Sequence, residues 1–454
     1  MVKRLVSMGL NCWNFLNKTE CFKVLLEMSM RLPVAGMLLI VVLSWSVSVL
    51  AAENWTAFQA GQKIDAEPGV LAEPTLEWQI PLTGYGQSSP VIWNDQVFIT
   101  SVLGSQKEEC VVTAYKLADG SQIWQQKYAN PAPEELTSYV SKAAPSPVVD
   151  ESCLIVLFEG GVLVSLSHKG DLLWQRDLVD EFGKIGSRHG LSSSLEQNAE
   201  HVFVWIERDA DPYLMCVEKQ SGKTIWKVKG LEATSWASPR LIPVGESQQL
   251  VLSGIGKLAG YDPTSGELLW EFTGIAGNST PTPYPLGEGR FLIGATTGQG
   301  DGEEGRAAES NGVIAIKQDE QGNWSADFVW RARKATCSFG TPVASEDTAF
   351  FVNRAGIVFG LDLATGEEKF AVRGSGSTWA TPLVGNGELI IFSKSGTIDR
   401  LNWKEEQPEL SSFVLVNANP AAENPFAGPT LYAAVKQEKR ILVRFGTDLV
   451  CLSW

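Results

Sequence analysis

Histidine and cysteine are the residue types that most often support acid–base, metal or redox chemistry, and both are sparse in this sequence. The only histidines are His168, His189 and His201. His168 lies in a turn and His201 opens an apolar, strand-like segment, so we interpret both as structural. His189 follows Arg188 in a loop, with no second histidine placed to help it. A general base or a metal ion needs positioned partners, so the sequence predicts neither a catalytic residue nor a metal site.

The cysteines offer no redox or metal motif either. Five of them follow the N-terminal apolar segment, namely Cys110, Cys153, Cys216, Cys337 and Cys451. They are far apart in sequence, and most lie in apolar, strand-like contexts. The pattern predicts buried free thiols. One disulfide is the alternative if the chain resides in an oxidising compartment.

An acidic, glycine-rich segment, GQGDGEEG at residues 298–305, is the only other candidate for metal binding. It lacks the alternating ligand spacing of an EF-hand loop. We expect a surface loop there, with a weak calcium site as the alternative.

Aromatic residues recur at a defined spacing from a second motif. The motif is a small residue, then Ser or Thr, then Pro, and it ends at Pro90, Pro147, Pro239, Pro281, Pro342 and Pro382, with weaker copies ending at Ser194 and Pro429. The positions three residues earlier are Gln87, Ala144, Leu191, Trp236, Asn278, Phe339, Trp379 and Phe426. Aromatic side chains supply large contact area at binding surfaces with little loss of entropy. Their chemistry is therefore recognition rather than catalysis.

Repeated elements must position these residues. A turn glycine is followed four residues later by an aromatic residue, as in Gly120–Trp124, Gly170–Trp174, Gly222–Trp226, Gly266–Trp270 and Gly366–Phe370. Short alternating or apolar stretches separated by turn pairs lie between the two motifs, and each unit reads as about four strands. Eight such units at a period of about 40–50 residues predict an all-β, eight-bladed propeller. Seven blades are the alternative, because the units after Trp330 and Phe370 are less regular.

The two ends of the repeat region predict how the ring closes. The chain ends in LVCLSW, which reads as a third strand with no fourth strand after it. The missing strand is predicted at Thr75–Leu82, with Trp78 in the aromatic position. An N-terminal strand that completes the last blade removes the exposed sheet edges of an open array. Residues 75–454 are therefore expected to form one domain, preceded by a linker at residues 53–74.

In a closed ring, the aromatic-rich positions surround one mouth of the central channel. We expect a ligand or partner to bind there, at Trp236, Asn278, Phe339, Trp379 and Phe426, with Arg188 and His189 on a neighbouring loop. The alternative is that these side chains only pack the loops against neighbouring blades.

The N-terminus predicts export. Five basic residues precede an apolar run from Leu32 to Leu50, and small residues follow at Ala51 and Ala52. Residues 1–52 are either a cleaved signal peptide or an uncleaved membrane anchor; in both cases the rest of the chain lies outside the cytoplasm. Removing residues 1–52 takes away five basic and two acidic residues and leaves a net charge of −18. A body this acidic argues against nucleic acid and anionic lipid as partners.

The two motifs together resemble the PQQ-like β-propeller repeat family over about residues 75–454. The resemblance implies the propeller fold. Members of that family include quinoprotein dehydrogenases, which bind pyrroloquinoline quinone and calcium, and BamB-like propellers, which are non-enzymatic and act in outer-membrane protein assembly. No residue here matches a catalytic position of the dehydrogenases, and no adjacent cysteine pair occurs.

These observations favour a non-catalytic scaffold that binds a protein or peptide in the cell envelope and needs no cofactor. A quinone-dependent oxidoreductase is the first alternative, with the quinone and calcium as its cofactors. A carbohydrate-binding propeller is the second.

Overall fold

A computed structural model describes residues 54–59, 73–135, 141–187, 189–296, 304–385, 387–415 and 430–453. These residues form eight four-stranded antiparallel sheets, arranged as the blades of a β-propeller. The predicted fold class is confirmed, and the seven-bladed alternative is wrong. None of the helices in the described part of the chain is long and apolar enough to span a membrane. The predicted signal peptide or anchor, residues 1–52, lies outside that part.

Each blade runs from an innermost strand beside the channel to an outermost strand at the rim. In blades 1 to 4 the strands are β2 (Val91–Trp93), β3 (Gln96–Leu103), β4 (Glu109–Lys116) and β5 (Gln122–Ala129); β6 (Val148–Val149), β7 (Leu154–Leu157), β8 (Val162–Leu166) and β9 (Leu172–Asp177); β10 (Glu196–Gln197), β11 (His201–Ile206), β12 (Tyr213–Glu218) and β13 (Thr224–Lys229); and β14 (Arg240–Val244), β15 (Ser247–Gly254), β16 (Lys257–Tyr261) and β17 (Leu268–Thr273).

Blades 5 to 8 repeat this order, and the last blade takes its outermost strand from the start of the chain. Their strands are β18 (Tyr284–Gly287), β19 (Arg290–Ile293), β20 (Gly312–Gln318) and β21 (Trp324–Arg331); β22 (Val343–Ser345), β23 (Thr348–Val352), β24 (Ile357–Asp362) and β25 (Glu368–Arg373); β26 (Leu383–Gly385), β27 (Glu388–Phe392), β28 (Thr397–Asn402) and β29 (Leu410–Val414); and β30 (Leu431–Gln437), β31 (Arg440–Phe445), β32 (Asp448–Ser453) and β1 (Thr75–Pro81). Two short helices, α1 (Leu178–Phe182) and α2 (Glu304–Glu309), lie in loops.

The glycine and the aromatic residue of the first motif hold neighbouring blades together. Gly170 has a φ of +88°, and a Cβ added there would lie 2.7 Å from the ring of Trp124 in the preceding blade. The indole nitrogen of Trp124 donates a hydrogen bond of 2.8 Å to the carbonyl of His168 in the same turn. The same bond recurs from Trp78 to Leu117 and from Trp330 to Leu363. The outer strand of one blade thus docks on the turn of the next.

Ring closure by the N-terminal strand is confirmed. β1 pairs antiparallel with β32, from Thr75 opposite Ser453 to Pro81 opposite Asp448. Trp78 occupies the docking position against Gly120 of blade 1. Blade 8 is therefore assembled from both ends of the repeat region, and β1 gives it the fourth strand that the other seven blades also have.

The Ser and Thr of the second motif form a hydroxyl ring around the channel. In six consecutive pairs, the backbone N–H of one residue donates to the side-chain hydroxyl of its equivalent in the next blade. The members of the hydroxyl ring are Ser89, Ser146, Ser194, Ser238, Thr282, Thr341 and Thr381. Each of these residues lies two positions before its innermost strand.

The hydroxyl ring shifts the predicted register in two blades. In blade 5 the equivalent proline is Pro283, which follows Thr282, and not Pro281. In blade 3 the position of the proline is taken by Leu195, and Ser194 belongs to the hydroxyl ring. Asn278 is therefore not equivalent to Trp236. The sequence PTP carries two candidate prolines, and only the hydrogen bonds distinguish them.

A short N-terminal segment, residues 54–59, lies against the innermost strands. Trp55 bridges to Ile92 of β2, and the carbonyl of Thr56 accepts from the N–H of Val149 in β6. The guanidinium of Arg240 in β14 donates to the carbonyls of Phe58 and Gln59, at 2.9 and 2.8 Å. These contacts carry the segment across the channel, although residues 53–74 were predicted to be a linker.

The segment that crosses the channel ends at Gln59, which contacts the hydroxyl ring. Its side-chain nitrogen donates to the hydroxyls of Thr341 at 2.6 Å and Thr381 at 3.0 Å. Trp55 and Gln59 are both buried. The chain's own segment therefore crosses the channel from blade 1 to blades 6 and 7.

Candidate functional site

Loops that precede the innermost strands and loops between the second and third strands lie at the same end of the propeller, which we call the mouth face. The structure describes five of the seven sequence-predicted site residues, and all five belong to loops on this face. The other two, Arg188 and Phe426, lie outside the described residues.

Two of the predicted aromatic residues meet and extend into a larger group. The rings of Phe339 and Trp379 have centroids 4.8 Å apart. Trp379 meets Tyr432 of β30 edge-on at 5.6 Å, and Tyr432 meets Tyr85 at 6.2 Å. The phenol oxygens of Tyr85 and Tyr432 are hydrogen-bonded at 2.6 Å. We call these four residues, contributed by consecutive blades, the aromatic arc.

All four members of the aromatic arc are partly exposed. The aromatic arc presents an apolar surface with the polar edges of two phenols. Such a surface can bind an apolar or aromatic group.

Two lysines lie over rings of the aromatic arc. The Nζ of Lys394 is 5.6 Å from the ring centroid of Trp379, and the Nζ of Lys142 is 5.5 Å from that of Tyr85. Both are cation–π distances. Burial lowers the pKa of both lysines, and the charge of Lys107 lowers that of Lys142 further. Positive charge is thus held close to the apolar surface.

Arg444 supports the end of the aromatic arc from below. It is fully buried, and its guanidinium donates to the carbonyl and hydroxyl of Ser88 and to the carbonyl of Thr100. Gly86 leaves room for it, since a Cβ there would lie 2.1 Å from the guanidinium. Burial lowers the pKa of Arg444 to about 9, which still leaves it charged at neutral pH. Arg444 fixes the loop that carries Tyr85.

His189 and Trp236 form a separate pair on the mouth face, with ring centroids 5.5 Å apart. The backbone N–H of Trp236 donates to the carbonyl of Ser279 at 2.6 Å. Both side chains are partly exposed. The described contacts do not join this pair to the aromatic arc. The predicted rim therefore consists of two groups, the aromatic arc and the pair of His189 and Trp236.

Asn278 is placed away from solvent. Its exposed fraction is 0%, and its amide holds the turn of blade 4 through Ser253, Gly254 and Gly256. An amide used in this way cannot contact a ligand. Its role is to hold a loop.

Sequence reasoning missed Tyr85, Tyr432 and Lys142. Tyr432 follows Pro429 instead of preceding it, and Tyr85 belongs to the loop that continues from the closing strand β1. Neither position recurs in the other repeats, so no periodicity marks them. Tyr85 and Tyr432 come together only when the ring is closed, so the sequence alone does not identify them.

No set of ligands for a calcium–quinone centre comes together in the described part of the chain. Among the described residues, no three His, Cys, Asp or Glu side chains converge to hold a metal ion. At the level of the hydroxyl ring, the side chain of Gln59 occupies the space beside Thr341 and Thr381. The carboxyl group of Glu196, in the innermost strand β10, is paired with Arg240 at 3.2 Å. We therefore derive no chemical step through such a group.

Solved structures share this fold at low sequence identity. BamB from Moraxella catarrhalis superimposes with a TM-score of 0.58 at 13% identity, covering 84% of this chain and 98% of that one. A quinohemoprotein alcohol dehydrogenase from Comamonas testosteroni gives 0.58 at 8% identity, covering 88% and 80%. A europium-containing methanol dehydrogenase gives 0.56 at 9% identity, covering 84% and 93%. These likenesses concern the fold alone.

Sequence comparison identifies the family. None of the curated proteins matches the sequence significantly. The family described as outer membrane protein assembly factor BamB matches residues 63–187 and 210–397, which is more than half of the chain. The protein therefore belongs to the PQQ-like repeat family described as outer membrane protein assembly factor BamB.

Proposed function

We propose that this protein is a non-catalytic propeller that acts outside the cytoplasm, as a protein-binding scaffold in the cell envelope. The observation that carries the proposal is the aromatic arc. Its four partly exposed rings lie in mutual contact on one mouth of the channel, and aromatic clusters of this kind dominate the energetics of protein interfaces.

Two further observations support this proposal. Segment 54–59 crosses the channel and contacts its hydroxyl ring, so we expect a partner to bind the mouth face and not the interior. The family description names outer-membrane protein assembly, which takes place outside the cytoplasm, as the predicted export signal requires.

Photo-crosslinking in intact cells tests the proposal. p-Benzoylphenylalanine is placed at Lys394, beside the aromatic arc, and in a second strain at Lys169, an exposed turn residue on the opposite face. We expect one envelope protein to be crosslinked from position 394 but not from 169. The same adduct should disappear when Trp379→Ala is added. Equal crosslinking from both faces, or none from position 394, would overturn the proposal.

Two assays address the other functions that this fold can serve. Purified protein is incubated with calcium and pyrroloquinoline quinone, and dye reduction is followed with alcohols and sugars as substrates. Turnover would show that the protein is an oxidoreductase and would overturn the scaffold proposal. A glycan array is then probed with the wild type and with Trp379→Ala. Glycan binding that this variant abolishes would assign the aromatic arc to carbohydrate instead of protein.

A further inference from the structure

Arg444 is a buried charge without a carboxylate beside it. Its exposed fraction is 0%, and its guanidinium donates to neutral groups, which are the carbonyl and hydroxyl of Ser88 and the carbonyl of Thr100. Its Nε has no hydrogen-bond partner among the described residues. Arginine is almost never fully buried unless it is paired, because an unpaired charge loses its hydration. The position of Arg444 is therefore that of one half of an ion pair.

The phenols of Tyr85 and Tyr432, which we call the phenol pair, lie close to this charge and reach the surface. The charge of Arg444 acts on both of them, as well as on the buried Tyr115. Each phenol carries one proton, and burial raises the pKa of Tyr85, so its phenol stays protonated at neutral pH. One proton lies between the two oxygens, which are 2.6 Å apart. The second proton has no acceptor in the described part of the chain.

The acidic residues around the phenol pair do not neutralise Arg444. The described loops and strand ends that surround it carry Glu108, Glu109, Glu134, Glu135, Glu159 and Asp448. None of these is an electrostatic partner of Tyr85 or of Arg444. Glu134 and Glu159 pair instead with Lys107. The positive charge beside the phenol pair therefore stays unbalanced within the described part of the chain.

Resting on the proposed scaffold function, we propose that the phenol pair binds one carboxylate of the partner, with Arg444 as the buried counter-charge. The carboxylate accepts the second phenolic proton in a charge-assisted hydrogen bond. The bond between the two phenols polarises this donor further. The guanidinium attracts the carboxylate through a medium of low dielectric constant, where charges interact more strongly than in water. The rings of Phe339 and Trp379 contact the apolar group beside the carboxylate.

Fluorine NMR titration with two small probes tests this assignment. The first probe, para-fluorophenylacetate, carries a ring for the aromatic arc and one carboxylate for the phenol pair. The second, para-fluorophenylacetamide, has the same ring without the charge. The wild type should bind the carboxylate about 10-fold more tightly at neutral pH, because a hydrogen bond to a charged acceptor is stronger than one to a neutral acceptor. Equal affinities, or no binding of either probe, would overturn the inference.

Phenylalanine variants locate the binding, because they remove the hydroxyls and keep the rings. Tyr85→Phe or Tyr432→Phe alone should weaken the preference for the carboxylate only in part, since the remaining phenol still has a proton to donate. The double variant should bind the two probes alike. Tyr128→Phe, at a partly exposed tyrosine of the outer strand β5, is the control and should change neither affinity. A double variant that keeps the full preference would contradict the assignment.

Arg444→Met tests the buried charge separately. It should weaken binding of the carboxylate probe about 10-fold and leave binding of the amide probe unchanged, because the rings of the aromatic arc remain. Urea unfolding shows whether this variant is folded, and if it is not, the double phenylalanine variant decides alone. Unchanged affinity for the carboxylate in a folded Arg444→Met protein would reject the role of the guanidinium.

Short peptides distinguish the two sources of a carboxylate in a protein partner. Acetyl-Leu-Asp-amide offers it on a side chain, acetyl-Leu-Asn offers it at the chain terminus, and the neutral acetyl-Leu-Asn-amide is the control. Tighter binding of either charged peptide than of the control supports the inference and names the source. Equal binding of all three peptides would overturn it.

The outcomes separate this inference from the proposed function. If the crosslink from position 394 persists in the Tyr85→Phe, Tyr432→Phe background and the two fluorinated probes bind the wild type alike, the inference fails while the scaffold function stands. If neither the crosslink nor binding of a probe occurs, both fail.

Discussion

Gln59 is the residue through which the N-terminal segment contacts the hydroxyl ring. Replacing it by Leu keeps the side chain near its size but removes two hydrogen bonds, to Thr341 and Thr381. We expect the free energy of unfolding to fall by about 1–2 kcal/mol, measured by urea denaturation. Gln106→Leu, at an exposed position, is the control and should change it by less than about 0.5 kcal/mol. Equal effects would mean that Gln59 does not hold the segment in the channel.

At the scale of the element, the turn glycine of each blade has no Cβ, and this leaves space for the aromatic residue of the preceding blade to dock. Gly266 and Gly274 both have positive φ, at +76° and +89°, but a Cβ at Gly266 would lie 2.7 Å from the ring of Trp226, while one at Gly274 meets nothing within 4 Å. Backbone strain should cost both Ala variants about 1 kcal/mol. Overpacking should cost Gly266→Ala about 1–3 kcal/mol more, measured by thermal or urea unfolding. Equal losses would show that the docking contact tolerates a methyl group.

The same elements show what the sequence could reveal about the fold. The interval from Gly120 to Trp124 recurs because every blade must dock on its neighbour, so the motif repeats wherever the contact repeats. The register predicted from the sequence was wrong in blades 3 and 5. In blade 3 Leu195 takes the position of the proline, and in blade 5 the sequence PTP offers two prolines. There the deciding feature is a hydrogen bond between blades, which no single repeat contains.

The candidate site was predictable only where it coincides with the repeat. Phe339 and Trp379 occupy equivalent positions, and their contact across blades follows from that equivalence. Tyr432 and Tyr85 come from the blade that both ends of the chain build, so their contact spans 347 positions of sequence. A contact of that separation depends on the closed ring and leaves no local pattern.

At the scale of the whole molecule, closure by β1 and crossing by segment 54–59 are separable sources of stability. A chain that begins at Glu73 lacks the crossing segment but keeps β1. One that begins at Thr83 lacks both, which uncovers the edge of β32 and removes the Trp78 contact with blade 1. A domain is stable by only about 5–15 kcal/mol, and this truncation removes the partly buried Trp78 together with the whole pairing of β1 with β32.

We therefore expect the chain that begins at Glu73 to unfold cooperatively at a lower urea concentration than a chain that keeps segment 54–59. The chain that begins at Thr83 should lack a cooperative transition at 25 °C. A synthetic peptide of residues 73–82 should restore that transition in proportion to its concentration, because binding only to the folded ring shifts the equilibrium by mass action. The same peptide with Trp78→Ala should restore it less. If both shortened chains unfold at the same midpoint, the closing strand does not stabilise the ring, and the closure of blade 8 would serve only to place Tyr85 beside Tyr432.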